Sequence, residues 1–182
     1  MRTPLLFSLV TAVALTGCGQ DLVLPPAGNA NQVDTISLYA LTATPVTLQS
    51  GFELELERAV RTDQSSSFDF AFDIPAGGVP ILLPSGPLGL PEGSGFKPDT
   101  LPFDSIDLAP LDGYIRDSVV PADSDAVYLV RSRPVLCAFG TFAYFAKLHV
   151  LAVDTVARRV DFEILVNSNC GYRSLEDGVP KR

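Results

Sequence analysis

The residues best suited to acid–base chemistry are His149, the single histidine of the chain, and Glu163. A general base needs a group that titrates near neutral pH and a partner that orients it, and a carboxylate beside an imidazole meets both needs. Both residues lie in segments with the pattern of neighbouring strands. The pattern places no serine, threonine or cysteine nucleophile near them, so we predict a cross-strand pair and no catalytic site.

Two acidic motifs could bind cations or act in hydrolysis. Asp123 and Asp125 flank a serine at the short spacing of calcium ligands, but the glycine and distal glutamate of an EF-hand loop are missing, and these residue types often form turns. Glu53, Glu55 and Glu57 alternate with apolar residues, as on the solvent face of a strand. Carboxylates for glycoside hydrolysis must instead face each other across a cleft. We therefore predict a turn and a solvated strand face, and neither a metal site nor a catalytic site.

The N-terminal segment has the pattern of a targeting signal. Arg2 precedes an uncharged, mostly apolar run of 12 residues at 5–16. This run is long enough for a signal peptide, whereas a bilayer-spanning helix needs about 20 apolar residues. It leads into Leu15-Thr16-Gly17-Cys18, which resembles the lipobox of bacterial lipoproteins. The resemblance implies that residues 1–17 are a signal peptide removed by signal peptidase II and that Cys18 carries fatty acids such as palmitate.

The resemblance also implies a location. An ordinary cleavage site at Ala12-Val13-Ala14 is the alternative, but it shortens the apolar run and leaves Cys18 as an odd thiol. Each buried CH₂ adds about 0.8 kcal/mol, so the three acyl chains of a processed lipoprotein anchor it permanently. Gly19 stands where many lipoproteins retained in the inner membrane carry aspartate. We expect a membrane-anchored protein of the cell envelope, in the outer membrane if the host has two membranes.

Composition limits the remaining chain to one domain and excludes one class of partner. The length after residue 17 suits a single domain with a substantial core. The formal net charge of the whole chain is −8 at pH 7, which repels phosphate backbones, and no basic stripe offsets it. Nucleic-acid binding is therefore excluded, and we expect no cofactor.

The two remaining cysteines, Cys137 and Cys170, predict a disulfide. An even pair in an exported protein is more often bonded than free, and so few His and Cys residues leave little material for a zinc site. A perfect three-stranded meander would hold the pair about 9.6 Å apart, beyond the reach of a disulfide. Pro134 resolves this conflict if it ends the preceding strand near Ser132 and frees residues 135–140 to approach Cys170.

Alternation with a period of two from Asp34 onward predicts an all-β domain. We expect residues 18–33, which lack any period, to form a flexible tether. Twelve of the 24 residues at 75–98 are Pro or Gly, which predicts a loop with at most a short edge strand at 81–83. The long run at 142–153 is apolar on both faces, which is typical of a central strand.

The register of the last two strands can be predicted from charge. A loop at 154–158 that sets Ala152 opposite Val160 also sets His149 opposite Glu163. A slip by one residue would place His149 among the apolar side chains of the partner strand. We predict a single antiparallel β-sandwich at 34–182, with about seven to nine strands and an immunoglobulin-like architecture.

These features favour a non-catalytic binding or structural module whose ligand is unknown. An envelope protein or a polysaccharide is the expected partner, beside the membrane itself. The segment 169–173 is either a recognition tip or a strand end held by its disulfide. A lipocalin-like carrier of an apolar ligand is one alternative, although the chain has no tryptophan for the Gly-x-Trp motif of that family. A hydrolase that uses acidic side chains is the other.

Overall fold

The computed structural model describes residues 24–91 and 93–180. These residues form an all-β protein in which the helices are two single 3₁₀ turns, Gly86–Leu88 and Phe103–Ser105. The described residues contain twelve strands, more than predicted, because several are only two or three residues long. The strands are β1 (Val33–Tyr39), β2 (Gly51–Glu53), β3 (Arg58–Val60), β4 (Phe70–Asp73), β5 (Ile81–Pro84), β6 (Gly95–Asp99), β7 (Val120–Pro121), β8 (Val127–Arg131), β9 (Val135–Cys137), β10 (Gly140–Phe142), β11 (Phe145–Asp154) and β12 (Arg159–Asn167).

The strands pair in antiparallel sheets. The first sheet has five strands in the order β1-β12-β11-β8-β6, and the second has five in the order β3-β2-β4-β5-β7. Strands β9 and β10 form a separate hairpin. The prediction that 142–153 contains a central strand is confirmed, because β11 lies between β12 and β8.

Phenylalanine rings from both five-stranded sheets meet in the main core. Phe52 and Phe70 belong to the second sheet, and Phe96 and Phe162 belong to the first. The ring centroids of Phe70 lie 5.2 Å from Phe96 and 6.0 Å from Phe162. All four rings are completely buried. Burial of each large side chain contributes roughly 1.5–3 kcal/mol, so these contacts are a major source of stability.

The first sheet is also covered on its other face. Phe103, Ile106 and Leu175 form a second buried cluster with residues of that sheet, including Phe145 and Leu165. Successive side chains of a strand point to opposite faces. Burial on both sides of β11 therefore explains why its sequence is apolar without alternation.

The predicted register is confirmed in the middle of the β11–β12 pair. His149 opposes Glu163 and Val150 opposes Phe162. The expected pairing of Ala152 with Val160 is wrong, because the register shifts after Val150 and Val153 opposes Val160 instead. The extra residue is Leu151, whose large side chain is exposed. A β-bulge accommodates such a residue without moving the rest of the strand to the wrong face.

The solvated acidic face predicted for Glu53, Glu55 and Glu57 on one strand is wrong. Strand β2 ends at Glu53, and residues 54–57 form the turn to β3. Glu53 is buried and lies 3.3 Å from Arg58. Asp69 and Asp73 are buried as well. Alternation could not reveal that polar partners compensate these carboxylates; Asp73, for example, accepts hydrogen bonds from the N–H and hydroxyl of Thr42.

The segment 75–98 is more regular than predicted. It contains β5, which pairs with β4, and most of β6, which pairs with β8. Strand β6 is at the edge of its sheet. An edge strand tolerates proline because the N–H groups on its outer side pair with no other strand. This explains how Pro98 fits opposite Tyr128.

The described part of the segment predicted as a tether lies against the domain. The N–H of Gly28 and the N–H of Asn29 donate to the side-chain oxygen of Asn169, and the hydroxyl of Tyr172 donates to the carbonyl of Pro25 at 2.8 Å. Asn31 pairs with Gly178 as an isolated bridge. The N-terminal segment is therefore attached to the C-terminal segment from residue 25 onward.

Candidate functional site

His149 is positioned on the central strand β11 between two carboxylates. Its Nδ1 lies 2.7 Å from Oε1 of Glu163 on β12, and its Nε2 lies 3.9 Å from Oδ1 of Asp125. The ring is partly exposed, and Asp125 is almost fully exposed. Glu163 therefore makes a short hydrogen bond with the imidazole, whereas Asp125 adds a weaker interaction that water screens.

A cleft of about 650 Å³ surrounds this pair. One wall is the segment 98–104, and the other is the segment 125–128 at the start of β8. Phe103 gives the cleft an apolar side, with its ring centroid 6.3 Å from that of His149. The carboxylates that line the cleft are Asp99, Asp104, Asp125 and Glu163.

A buried lysine lies under one side of the cleft. Lys147 donates to the carbonyl of Ile106 at 3.1 Å, and its ammonium lies 4.7 Å from the centroid of Phe103. Burial lowers the pKa of Lys147, while the negative charges of Asp104 and Asp107 oppose this shift. The contacts of Lys147 hold the 3₁₀ turn of Phe103 against the first sheet, which fixes one wall of the cleft.

This arrangement suits binding better than nucleophilic catalysis. Both ring nitrogens of His149 face carboxylates. A general base needs one nitrogen directed at the proton that it removes. An open acidic cleft with an aromatic side instead matches a positively charged group.

The sequence predicted the His149–Glu163 pair but missed the rest of the cleft. Asp125 lies in the turn before β8, and that strand pairs with β11 so that Val127 opposes His149. The pairing of these two strands could have indicated that Asp125 is close. Asp99 comes from the end of β6, at a position where the sequence pattern predicted no strand.

The other acidic motifs form no site. Residues 123–126 form a turn, as predicted, in which the N–H of Ala126 donates to the carbonyl of Asp123. Glu53 is buried at the end of β2, whereas Glu55 and Glu57 lie in the turn that follows, so the three carboxylates do not share one face. Within residues 24–91 and 93–180, no three His, Cys, Asp or Glu side chains are grouped to hold a metal ion.

The structure places Cys137 and Cys170 at disulfide distance, with their Cα atoms 6.3 Å apart. The role predicted for Pro134 is close to what is observed: β8 ends at Arg131, and the chain then leaves the first sheet. Residues 135–142 form the β9–β10 hairpin and not the predicted irregular loop. This hairpin brings Cys137 beside the segment that follows β12.

The segment 169–173 forms hydrogen bonds with the segments around it. Asn169 and Tyr172 hold the N-terminal segment, and Arg173 donates to the carbonyl of Ala109 at 2.8 Å. The sequence predicted either a recognition tip or a strand end held by its disulfide, and these contacts favour the strand end. The segment also borders a second, smaller groove of about 260 Å³, which is lined by Leu111, Arg131, Thr141, Phe142, Ala143, Phe145, Gly171 and Arg173.

Cys18 and the signal-peptide pattern lie outside the described residues. Among the residues described, no helix is long and apolar enough to cross a membrane. In comparisons with known proteins, no family model matches the chain, and no curated protein matches it.

Proposed function

We propose that this protein is an exported lipoprotein of the cell envelope that acts as a non-catalytic binding module. Residues 1–17 are removed as a signal peptide, and fatty acids on Cys18 hold the domain at the membrane, which is the outer one where the host has two. The observation that carries this proposal is the tetrad Leu15-Thr16-Gly17-Cys18 directly after an apolar run of signal-peptide length.

The core supports a binding surface over a hollow carrier. We propose that the two five-stranded sheets pack face to face as an immunoglobulin-like β-sandwich. A lipocalin-like carrier needs an interior cavity, whereas the rings of Phe52 and Phe70 stack at 5.4 Å and those of Phe70 and Phe96 meet at 5.2 Å where the two sheets touch. The ligand of this protein therefore binds at its surface.

The cleft around His149 is the ligand site in this proposal. Its carboxylates and the ring of Phe103 suit a positively charged group presented by an envelope protein or a polysaccharide. The short bond between Glu163 and His149 fixes one side of the cleft. Such a site needs no nucleophile and no metal.

Mass spectrometry of the chain purified from membranes tests the anchor. We expect the mature N-terminus at Cys18, with the mass of the attached acyl chains, and we expect the C18S variant to keep residues 1–17 and to carry no lipid. Detection of an unmodified thiol at Cys18 would overturn the proposed location.

Site-specific photocrosslinking in the intact envelope tests the cleft. A crosslinker replaces Leu101 at the rim of the cleft, and the matched control replaces Val46, which is also exposed and does not line the cleft. We expect a crosslinked species from the Leu101 position only, and its loss when D125N and E163Q are added. The same species from both positions, or none from Leu101, would contradict the assignment of the cleft.

A further inference from the structure

The described chain begins beside the β9–β10 hairpin. A Cβ atom added at Gly171 would lie 2.6 Å from Leu24 and 3.2 Å from Phe142, so these two side chains flank the glycine closely. Cys18 precedes Leu24 by six residues. Six residues span at most about 20 Å. A lipid on Cys18 therefore reaches the membrane within about 20 Å of this end of the domain.

The hairpin presents an apolar surface at this end. Residues 134–142 contain no charged side chain. Leu136 is 85% exposed, and the rings of Phe139 and Phe142 pack against each other at 5.2 Å. Peripheral proteins bury apolar side chains of this kind about 5–10 Å deep at the headgroup boundary.

Three arginines gather at the same end of the first sheet. Arg131 ends β8 and opposes Phe145 at the start of β11. It lines the groove of about 260 Å³ together with Arg173, next to Phe142 of the hairpin. Arg116 is the third: Gly95 opposes Arg131, and a Cβ atom added at Gly95 would lie 2.9 Å from Cγ of Arg116. Asp112 and Asp117, which directly follows Arg116, are acidic residues near this group.

The carboxylates of the cleft lie toward the opposite end of the sheet. Asp99 ends β6, and His149 is four residues beyond Phe145 along β11. An anionic surface repels a protein of net charge −8, but it attracts a local cluster of arginines. The separation of charge along the strands therefore favours one orientation at an anionic membrane.

We propose that the β9–β10 end of the domain lies on the phospholipid surface that carries the anchor, with Leu136 at headgroup depth and with the three arginines facing lipid phosphates. This inference rests on the proposed lipidation of Cys18. It adds an orientation: the His149 cleft points away from the membrane, where a partner can reach it.

Tryptophan fluorescence in vesicles tests the orientation, because the native chain has no tryptophan. Variant L136W places the reporter on the hairpin. Variant V156W is the matched control, because Val156 is 94% exposed and lies in the β11–β12 turn at the far end of the sheet. Each full chain, purified from membranes with its lipid verified by mass, is reconstituted in phosphatidylcholine vesicles with phosphatidylglycerol and with bromine-labelled acyl chains.

We expect a blue-shifted emission and strong quenching by the bromine label for L136W, and neither effect for V156W. Equal quenching of the two variants, or no quenching of L136W in a chain whose lipid is verified, overturns the orientation and leaves the lipid anchor intact. Absence of lipid on Cys18 overturns the proposed function and this inference together.

The role of the arginines is tested with R116Q in the L136W background. One arginine near an anionic surface contributes a factor of about five to binding. We therefore expect the equilibrium constant for binding of the hairpin to the lipid surface to fall about fivefold. R159Q at the far end of the sheet is the control and leaves the equilibrium unchanged. An equal effect of the two variants, or no dependence on phosphatidylglycerol, overturns the role of the arginines.

Discussion

Asp69 and Arg133 connect the two five-stranded sheets. Arg133 lies just after β8. Its backbone N–H donates to Oδ1 of Asp69 at 2.9 Å, and its side-chain Nε lies 3.3 Å from the same oxygen. The second oxygen of Asp69 accepts the N–H of Leu54 at 2.8 Å. Burial raises the pKa of Asp69, and the hydrogen bonds from Arg133 and Leu54 oppose that rise. One buried carboxylate therefore holds the ends of three segments.

Replacement of Asp69 by alanine should destabilise the domain strongly. D69A leaves the N–H groups of Leu54 and Arg133 without their acceptor and Arg133 without its partner, which costs about 3–5 kcal/mol. Urea unfolding measures the change. The control is D63A, because the Asp63–Arg61 pair is at the surface, and we expect no change there. Equal stability of the two variants would show that the connection contributes nothing.

The disulfide should contribute through the unfolded state. A bond between residues separated by 33 positions restricts the unfolded chain and is worth about 3–4 kcal/mol. We expect the variant with C137S and C170S to lose this amount in urea unfolding. A reducing agent should lower the wild-type stability to the same value and leave the variant unchanged. Insensitivity of the wild-type protein to reduction would argue against the bond.

The stability should depend on Lys147 in alkaline solution. Burial lowers the pKa of Lys147 below the usual 10.5. Between the lowered value and 10.5 the unfolded chain binds more protons than the folded one, so the contribution of this group to stability rises with pH. Below that interval its contribution is constant.

The variant K147M should lack this rise. We expect the difference in unfolding free energy between wild type and K147M to grow in favour of the wild type as pH increases through the interval. Urea unfolding across the alkaline range measures it. K97M is the control and should keep the wild-type pH dependence. A parallel pH dependence of K147M and wild type would contradict the prediction.

Gly86 should not tolerate a side chain. A Cβ at this position would overlap the backbone carbonyl of Arg116, and overpacking against backbone costs about 1–3 kcal/mol. We expect a lower melting temperature for G86A. A Cβ added at Gly77 would have no atom within 4 Å, so G77A serves as the control and should melt like the wild type. A melting temperature of G86A equal to that of G77A would refute the close approach.

Asn169 should hold the N-terminal segment in place. In N169A the amides of Gly28 and Asn29 lose the oxygen that accepts them at 2.9 Å and 3.0 Å. We expect faster hydrogen exchange at these two amides and no change at Val150. S168A removes only an exposed contact with the side chain of Asn29, and it should leave both amides as they are. Unchanged exchange in N169A would mean that other contacts fix the segment.

The sequence by itself determined the fold class and part of the candidate site. A period of two depends only on neighbouring residues, so the strands at β1, β8 and β12 could be predicted locally. The cost of placing a polar ring among apolar side chains determined that His149 opposes Glu163. The same argument failed two residues later, because a bulge at Leu151 is not encoded in the alternation.

The tertiary structure alone decided which polar groups are buried and which ends of the chain meet. Asp69 looks like a solvent-facing residue until its partner Arg133 approaches from a distant segment of the chain. Asp125 approaches His149 only because β8 pairs with β11, and the arginines gather beside the hairpin only because β8 ends next to the start of β11. Such contacts join residues far apart in the chain. Their energy depends on packing and desolvation at one place in the folded molecule, which no local pattern of the sequence records.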